Sequence, residues 1–132
     1  MKYLLDSDYV ADYLVAKPHA TELLSSLAKE GTAISLITVG EIYEGIYFGY
    51  NPQQATVQFQ QFLASVSILM LTQTIMRQFA QIRGELRRTG KMIGDFDILI
   101  GATAIHHHLT LVTRNVRDYD RIPHLKLYQQ TA

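Results

Sequence analysis

The sequence contains no cysteine and no apolar run long enough to cross a bilayer. Without cysteine the chain can form neither a disulfide, a thiolate zinc site nor a thiol nucleophile, so it needs no oxidising compartment. A membrane-spanning helix needs about 20 apolar residues, and the apolar segment in MKYLLDSDYV is too short for a signal peptide. We therefore expect a soluble, cytoplasmic protein with no membrane partner.

Charge is scarce and unevenly placed. Charged residues make up 18% of the 132 residues, and 12 basic residues balance 12 acidic ones. Residues 1–66 hold 3 basic and 7 acidic residues (net −4), whereas residues 67–132 hold 9 basic and 5 acidic residues (net +4). This segregation permits an acidic centre beside a basic surface that would attract a polyanion. The length and the 48% hydrophobic content suit a single domain, residues 1–132.

Short apolar runs alternate with helical patterns along the chain. Strands are predicted in KYLL, AISLI, SILML, TLVT and LKLY. Helices are predicted in KPHATELLSSLAKEG, TVGEIYEGIYFG, NPQQATVQFQQFLA, TQTIMRQFAQIRGELRRTG and from Asp95 onward. The alternation indicates βαβ crossovers. We therefore expect an α/β three-layer sandwich, with a mostly parallel central sheet of about five short strands flanked by helices.

Acidic or amide side chains follow three of the predicted strands. Asp6 comes after the first strand, Glu41 lies in the helix after the second, and Asn115 and Asp118 follow TLVT. Ligands of open parallel sheets bind beyond the carboxyl ends of the strands. We therefore expect these side chains at one edge of the sheet.

Asp97 lies in the first turn of a helix that is apolar on several sides. A buried carboxylate is costly unless it is protonated, paired or bound to a metal, and no Lys or Arg stands three or four residues after it. Converging acids would add repulsion unless a divalent cation held them. Oxygen ligands without cysteine or a well-placed histidine favour Mg²⁺ or Mn²⁺ over zinc.

Each acid also has a structural explanation. Asp6 or Ser7 can cap a helix, and Thr38 with Glu41 forms a capping-box pattern. For Asp95 an N-cap is the favoured role. Independent caps need not all meet at one edge of a sheet, so their shared position favours a site.

Two arginines follow TLVT toward the predicted acidic edge. Arg114 and Arg117 would stand beside a bound metal, where a phosphodiester needs its charge neutralised. They are the candidate residues for binding a phosphodiester.

Four segments occur in a specific order: YLLDSD, ISLITVGEIYEG, GKMIGDFDILIGATA and LVTRNVRDYDRIPHLKL. In this order and spacing they resemble the PIN-domain ribonucleases, in particular the VapC-type toxins of type II toxin-antitoxin systems, and the resemblance extends over essentially the whole chain. The resemblance implies a PIN-like sandwich in which Asp6, Glu41 and Asp97 are the three core acids. Asp118 or Asn115 takes the more variable fourth position.

The resemblance also implies an activity. Such proteins hydrolyse RNA, including structured targets such as tRNA, with Mg²⁺ or Mn²⁺, so the four acids would be catalytic and would hold the metal. Thr38 or Thr113 would orient a carboxylate or a water, and Asp95 would be auxiliary. With RNA as the substrate, Arg114 and Arg117 would be the RNA-binding residues. Asp8 departs from the pattern, because VapC-type toxins commonly have Asn there.

The same resemblance implies two partners, a second copy of the chain in a homodimer and a cognate antitoxin that inhibits it. A groove for an antitoxin helix would come from an aromatic group. Its members are Tyr43, Tyr47, Phe48, Tyr50, Phe59 and Phe62. Core packing explains Phe59 and Phe62 equally well.

Two other functions compete with a nuclease. A receiver-like Mg²⁺-binding signalling domain would need an aspartate at the end of the central strand and a lysine after a late one. SILMLTQT and TLVTRN offer neither arrangement. A catalytically inactive RNA-binding module would keep the acids for structural reasons, and only a cleavage assay separates it from an enzyme.

Overall fold

Four short parallel strands form one sheet. They are β1 (Tyr3–Leu5), β2 (Thr32–Ser35), β3 (Ser67–Leu69) and β4 (Thr110–Val112). Their order across the sheet is β3-β2-β1-β4. Tyr3 is in register with Thr32 on one side and Thr110 on the other. The structure is a computed structural model and describes residues 1–129, so the last three residues of the predicted domain lie outside the described part.

Seven α-helices within residues 1–129 surround the sheet. They are α1 (Ser7–Leu14), α2 (Pro18–Leu27), α3 (Leu36–Tyr47), α4 (Pro52–Leu63), α5 (Gln73–Arg88), α6 (Asp95–His106) and α7 (Val116–Tyr119), with a 3₁₀ helix at Ala28–Glu30.

The side chains of β1 alternate between two apolar cores. Tyr3 and Leu5 pack into a core with α1, α2 and α4, whereas Leu4 packs into a core with α5, α6 and β4. Successive residues of a strand point to opposite faces, so each face of the sheet is covered by helices. The three-layer α/β sandwich predicted from the sequence is thereby confirmed.

The predicted fifth strand, LKLY, is not a strand. Leu127 alone makes an isolated parallel bridge to Leu111, and the pairing is limited to two hydrogen bonds around that residue. The sheet of the described residues therefore has four strands rather than five.

The second strand ends earlier than predicted. The Ser35 side chain accepts a hydrogen bond from the Ile37 N–H, so α3 begins at Leu36. The capping box considered as an alternative role for Thr38 and Glu41 is excluded for this reason, and Thr38 is instead fully buried within α3. Among residues 1–129, no helix is both long and apolar enough to cross a membrane.

The N-cap predicted for Asp95 is also wrong. Gly94 occupies the N-cap of α6, and Asp95 is the first residue of the helix. Asp6 does cap its helix, because its carboxylate accepts the Ser7 N–H at the start of α1.

Candidate active site

Asp6 lies directly after β1 and is only 5% exposed. Its carboxylate accepts hydrogen bonds from the Ser7 N–H at 2.8 Å and from the Thr113 hydroxyl at 2.7 Å. Thr113 follows β4, the neighbouring parallel strand, so both residues stand at the carboxyl edge of the sheet. The adjacent strand ends therefore fix the position of this carboxylate.

The hydroxyl of Tyr119 joins Asp6 to Asp97. It lies 3.1 Å from Asp6 Oδ1 and 3.2 Å from Asp97 Oδ1, and Tyr119 itself is fully buried. Asp97 reaches the same edge from the first turn of α6. Two carboxylates that are distant in sequence thus flank one phenol oxygen.

Asn115 links Asp97 to Asp118. Its side-chain amide lies 3.4 Å from Asp97 Oδ2 and donates to Asp118 Oδ2 at 3.2 Å. Asn115 precedes α7, and Asp118 lies in the first turn of that helix. The loop after β4 therefore contributes both the amide and the fourth carboxylate to this edge.

Glu41 is connected to the edge through Ser7. The Ser7 hydroxyl donates to Glu41 Oε1 at 2.6 Å and lies 2.9 Å from the buried Thr38 hydroxyl oxygen. Ser7 also bonds the Asp6 carboxylate through its backbone N–H. One residue therefore connects the acid after β1 with the acid on α3.

Burial and mutual repulsion alter the acidity of the two central carboxyls. Burial, reinforced by the charges of Asp8 and Asp97, raises the pKa of Asp6 to about 7, against the opposing hydrogen bonds from Thr113 and Ser7. Burial also raises the pKa of Asp97, and the charges of Asp118 and Asp8 act in the same direction. Binding of a cation or a proton would therefore be favourable at both carboxyls, because it offsets their negative charge.

The donor set matches a hard divalent cation. Within the described chain, no Lys or Arg forms an ion pair with any of the four acids. Across residues 1–129 no three acidic or histidine side chains are arranged to hold one ion together, and hydroxyl and amide groups form hydrogen bonds with the carboxylates. The carboxylate and amide oxygens suit a hard divalent cation by their chemistry. In this structure the same side chains form hydrogen bonds with one another.

Asp95 stands apart from this group. Its side chain is 54% exposed, and its carboxylate accepts a 2.7 Å hydrogen bond from Arg83 in a salt bridge between α6 and α5. Asp95 and Asp97 thus face different environments although one residue separates them.

The two predicted RNA-binding arginines also differ. The backbone N–H of Arg114 donates to Asp8 Oδ2 at 2.9 Å, and the guanidinium of Arg114 lies 3.0 Å from Asp12 Oδ2. Arg117 is exposed on α7 and has no ion pair within the described residues. Arg114 is therefore anchored beside the acids, whereas Arg117 faces solvent.

Sequence reasoning missed the bridging roles of Ser7 and Tyr119. Both are flanked by acids, in DSD and DYD, which is the signal that was available. A buried tyrosine needs a hydrogen-bond partner for its hydroxyl, so a tyrosine between two acids in an otherwise packed segment is a candidate contact.

An apolar groove between α1, α3 and α4 begins at Glu41. It encloses about 560 Å³ and is lined by Leu14, Ile42, Ile46 and Tyr50 among others. Of the predicted aromatic group, Phe59 and Phe62 are buried in the core, whereas Tyr47, Phe48 and Tyr50 are exposed.

The chain is similar to known proteins over most of its length. The profile of the family described as "PIN domain" matches residues 3–125. "Ribonuclease VapC2" of Haemophilus influenzae is 32% identical over 124 residues, which cover 92% of each chain. "tRNA(fMet)-specific endonuclease VapC" of Shigella flexneri is 26% identical over 126 residues, 96% of each chain. The solved structure of VapBC2 from Rickettsia felis, bound to a DNA fragment from its promoter, contains a chain that is 28% identical with a TM-score of 0.90. That match covers 99% of this chain and all of the other.

Proposed function

Because the chain belongs to the PIN domain family, we propose that it is a metal-dependent endoribonuclease toxin of the VapC type, held inactive by a cognate antitoxin. The observation that carries the proposal is the joining of Asp6 and Asp97 through one buried tyrosine hydroxyl, with Glu41 and Asp118 linked to them by Ser7 and Asn115. The domain is proposed to comprise residues 1–132.

The four acids are proposed to hold Mg²⁺ or Mn²⁺, with Asn115 as an additional ligand. Such an ion lowers the pKa of a bound water and stabilises charge on a phosphodiester. The chain's own part is positional: Thr113 and Tyr119 fix Asp6, and Ser7 fixes Glu41 beside the buried Thr38. In the proposed hydrolysis a water oxygen bonds to phosphorus while the P–O3′ bond breaks and O3′ takes up a proton, which leaves a 5′-phosphate and a 3′-hydroxyl.

The substrate is proposed to be RNA, with tRNA as a class to test first. The name of the Shigella flexneri relative specifies tRNA(fMet), and its match covers 96% of both chains. Arg114 and Arg117 stand next to the acidic edge and would offset phosphate charge there.

The antitoxin is proposed to lay a helix in the groove that begins at Glu41. Tyr50 lines this groove, and an antitoxin arginine at its end would reach the Glu41 carboxylate. Inhibition and catalysis would then share one acid. A Tyr50→Asp substitution is expected to weaken inhibition by the antitoxin in a cleavage assay, because it places a charge on the apolar wall.

We also propose that the active form is a cytoplasmic homodimer. Light scattering of the purified chain measures its mass in solution. A mass equal to one chain at working concentration would contradict the dimer and leave the nuclease proposal intact.

Cleavage of end-labelled tRNA and of unstructured RNA, with mapping of the product ends, tests the activity. Asp97→Asn and addition of EDTA are each expected to lower the rate at least about 100-fold, since both remove the metal from the acids. Asp120→Asn is the matched control, because Asp120 is an exposed acid of the same loop region without an ion pair in the described chain.

Cleavage that persists in EDTA, or at full rate in Asp97→Asn, would contradict the mechanism. RNA binding without cleavage in the wild-type protein, with Mg²⁺ or Mn²⁺ present, would favour the inactive RNA-binding module. Circular dichroism of the variants checks that each remains folded.

A further inference from the structure

A second charged cluster lies beside the acidic edge and is built on Asp12. This carboxylate is on α1, with a side chain only 8% exposed. It accepts a 2.8 Å hydrogen bond from His19 and forms salt bridges with Lys17 at 3.4 Å and Arg114 at 3.0 Å. One buried acid thus gathers three basic side chains from α1–α2 and from the loop after β4.

The three basic side chains can bind a second anion in addition to the Asp12 carboxylate. Lys17, His19 and Arg114 are 54%, 42% and 51% exposed, so each has surface turned toward solvent. The two positive charges of Lys17 and Arg114 already exceed the single negative charge of Asp12. A guanidinium carries five N–H donors and an ammonium three, so donors remain for a second anion.

The anchored geometry lowers the entropic cost of binding that anion. Burial acts to raise the pKa of Asp12, but the hydrogen bonds from His19 and Lys17 and the charge of Arg114 lower it overall. The carboxylate therefore stays ionised at neutral pH and holds its neighbours. Long side chains that are already ordered lose less entropy when they bind a ligand.

A cavity of about 310 Å³ adjoins the cluster at Arg114. Its walls include Tyr9, Tyr128, Val116 and Thr113. The Tyr9 ring also packs edge-on against the His19 ring, at 5.9 Å between centroids, so the cavity and the cluster share a wall. Aromatic and apolar walls beside cationic groups suit a nucleotide, since the base contacts the walls and the phosphate contacts the cations.

Thr113 connects this cavity to the proposed reaction centre. Its hydroxyl donates to Asp6 Oδ2 at 2.7 Å, and Thr113 also lines the cavity. The next residue, Arg114, donates its backbone N–H to Asp8, which lies with the acids. The two consecutive residues Thr113 and Arg114 therefore connect the cluster and the cavity to the acidic edge.

We propose that Lys17, His19 and Arg114, held by Asp12, form a subsite for the phosphate next to the scissile one, with the attached base in the cavity lined by Tyr9 and Tyr128. The inference rests on the proposed nuclease function and assigns a ligand, the backbone of single-stranded RNA, to residues outside the acidic site. The position of the cluster determines whether the phosphate on the 5′ side or on the 3′ side of the scissile phosphate is bound.

Binding is measured in the Asp97→Asn background, where cleavage does not interfere, by anisotropy of a short fluorescein-labelled single-stranded RNA over a range of salt. The double variant Lys17→Gln/His19→Gln is expected to raise Kd about tenfold and to lower the salt slope by about 0.7 for each phosphate that is no longer neutralised. Lys29→Gln is the matched control, because Lys29 is exposed in the 3₁₀ helix beyond the opposite end of α2.

Asp12→Asn separates a built subsite from a diffuse positive field. Removal of one negative charge from a diffuse field would tighten RNA binding, whereas loss of the anchor for Lys17 and Arg114 is expected to weaken it. In the cleaving protein, the double variant is expected to raise KM more than it lowers kcat, because the contact holds substrate and transition state alike.

Unchanged RNA affinity and salt slope in the double variant, or tighter binding by Asp12→Asn, would overturn the subsite. Normal RNA binding combined with loss of inhibition by the antitoxin would assign the cluster to the protein partner and overturn it as well. The nuclease proposal fails separately, if the wild-type chain cuts no RNA.

Discussion

The phenol oxygen of Tyr119 lies 3.1 Å from Asp6 Oδ1, although 113 positions separate the two residues in the chain. The same oxygen lies 3.2 Å from Asp97 Oδ1, and the Tyr119 side chain is fully buried. Burial, together with the charges of Asp6 and Asp97, raises the pKa of Tyr119, so the hydroxyl remains protonated and available to donate. One protonated hydroxyl group therefore lies between the two acids.

Tyr119→Phe is expected to slow RNA cleavage about tenfold and to weaken the activation by Mg²⁺, because the two carboxylates lose the group that spaces them. Cleavage rates measured across Mg²⁺ concentrations report both effects, and calorimetric titration of Mg²⁺ reports the binding alone.

Tyr3→Phe is the matched control for this change. Tyr3 is also a buried tyrosine, and its hydroxyl donates to a carboxylate, that of Glu30, at 3.1 Å near the opposite edge of the sheet. Equal Mg²⁺ dependence in Tyr119→Phe and Tyr3→Phe would show that the bridging hydroxyl has no special role.

The metal-free protein is expected to lose stability as pH rises from 3.8, the ordinary pKa of an aspartate, toward and beyond the folded-state pKa of Asp6 of about 7. Over that interval the folded state binds more protons than the unfolded state, so the free energy of unfolding falls with rising pH. The contribution of Asp6 to the free energy of unfolding is fully present below pH 3.8 and is lost as the pH rises through 7. It amounts to at most about 4 kcal/mol.

Urea denaturation in EDTA at a series of pH values measures this effect. Asp6→Asn is expected to flatten the dependence, whereas the exposed-site variant Asp120→Asn retains it. A wild-type profile no steeper than that of Asp6→Asn would contradict the raised pKa. Addition of Mg²⁺ at the alkaline end should restore stability, because the ion binds the folded state.

The layers of the fold were predictable because periodicity and burial agree in them. The runs at Tyr3–Leu5 and Thr110–Val112 are apolar for most of their length, as expected of parallel strands that are covered on both faces. LKLY has a similar composition but pairs only at Leu127, since composition does not encode whether a neighbouring strand edge is open along its length. Strand count therefore depended on tertiary geometry.

The positions of the acids followed from topology, whereas their connections did not. The rule that parallel strands end at one edge brought Asp6 and Asp118 together in the sequence interpretation. Ser7 and Tyr119 connect Asp6 to Glu41 and to Asp97 through contacts between residues 34 and 113 positions apart, and their acidic neighbours in the sequence do not specify those partners. Short-range rules also misassigned Asp95, because Gly94 supplies the N-cap.

Ser7→Ala is expected to reduce RNA cleavage about tenfold while leaving the fold intact. The substitution keeps the backbone N–H that bonds Asp6 but removes the hydroxyl that donates to Glu41 at 2.6 Å, so Glu41 loses its fixed orientation. Cleavage rate and thermal midpoint are the two measurements.

Ser26→Ala is the control for this prediction, since the Ser26 hydroxyl donates to the Leu23 carbonyl on α2, a helix that contributes none of the four acids. An equal loss of activity in both variants would indicate a general effect of removing a hydroxyl rather than a role for the Ser7–Glu41 contact.

The two aspartates in GDFDIL are expected to respond differently to the same substitution. Asp95→Asn breaks an exposed pair with Arg83, which stabilises the fold by no more than about 1 kcal/mol, and should leave the cleavage rate within about twofold of wild type. Asp97→Asn removes a half-buried carboxylate that contacts Tyr119, so cleavage should be lost. Side-by-side rates for the two variants on one RNA provide the measurement. Loss of cleavage in Asp95→Asn would bring Asp95 into the reaction and would require the proposed site to extend along α6 toward Arg83.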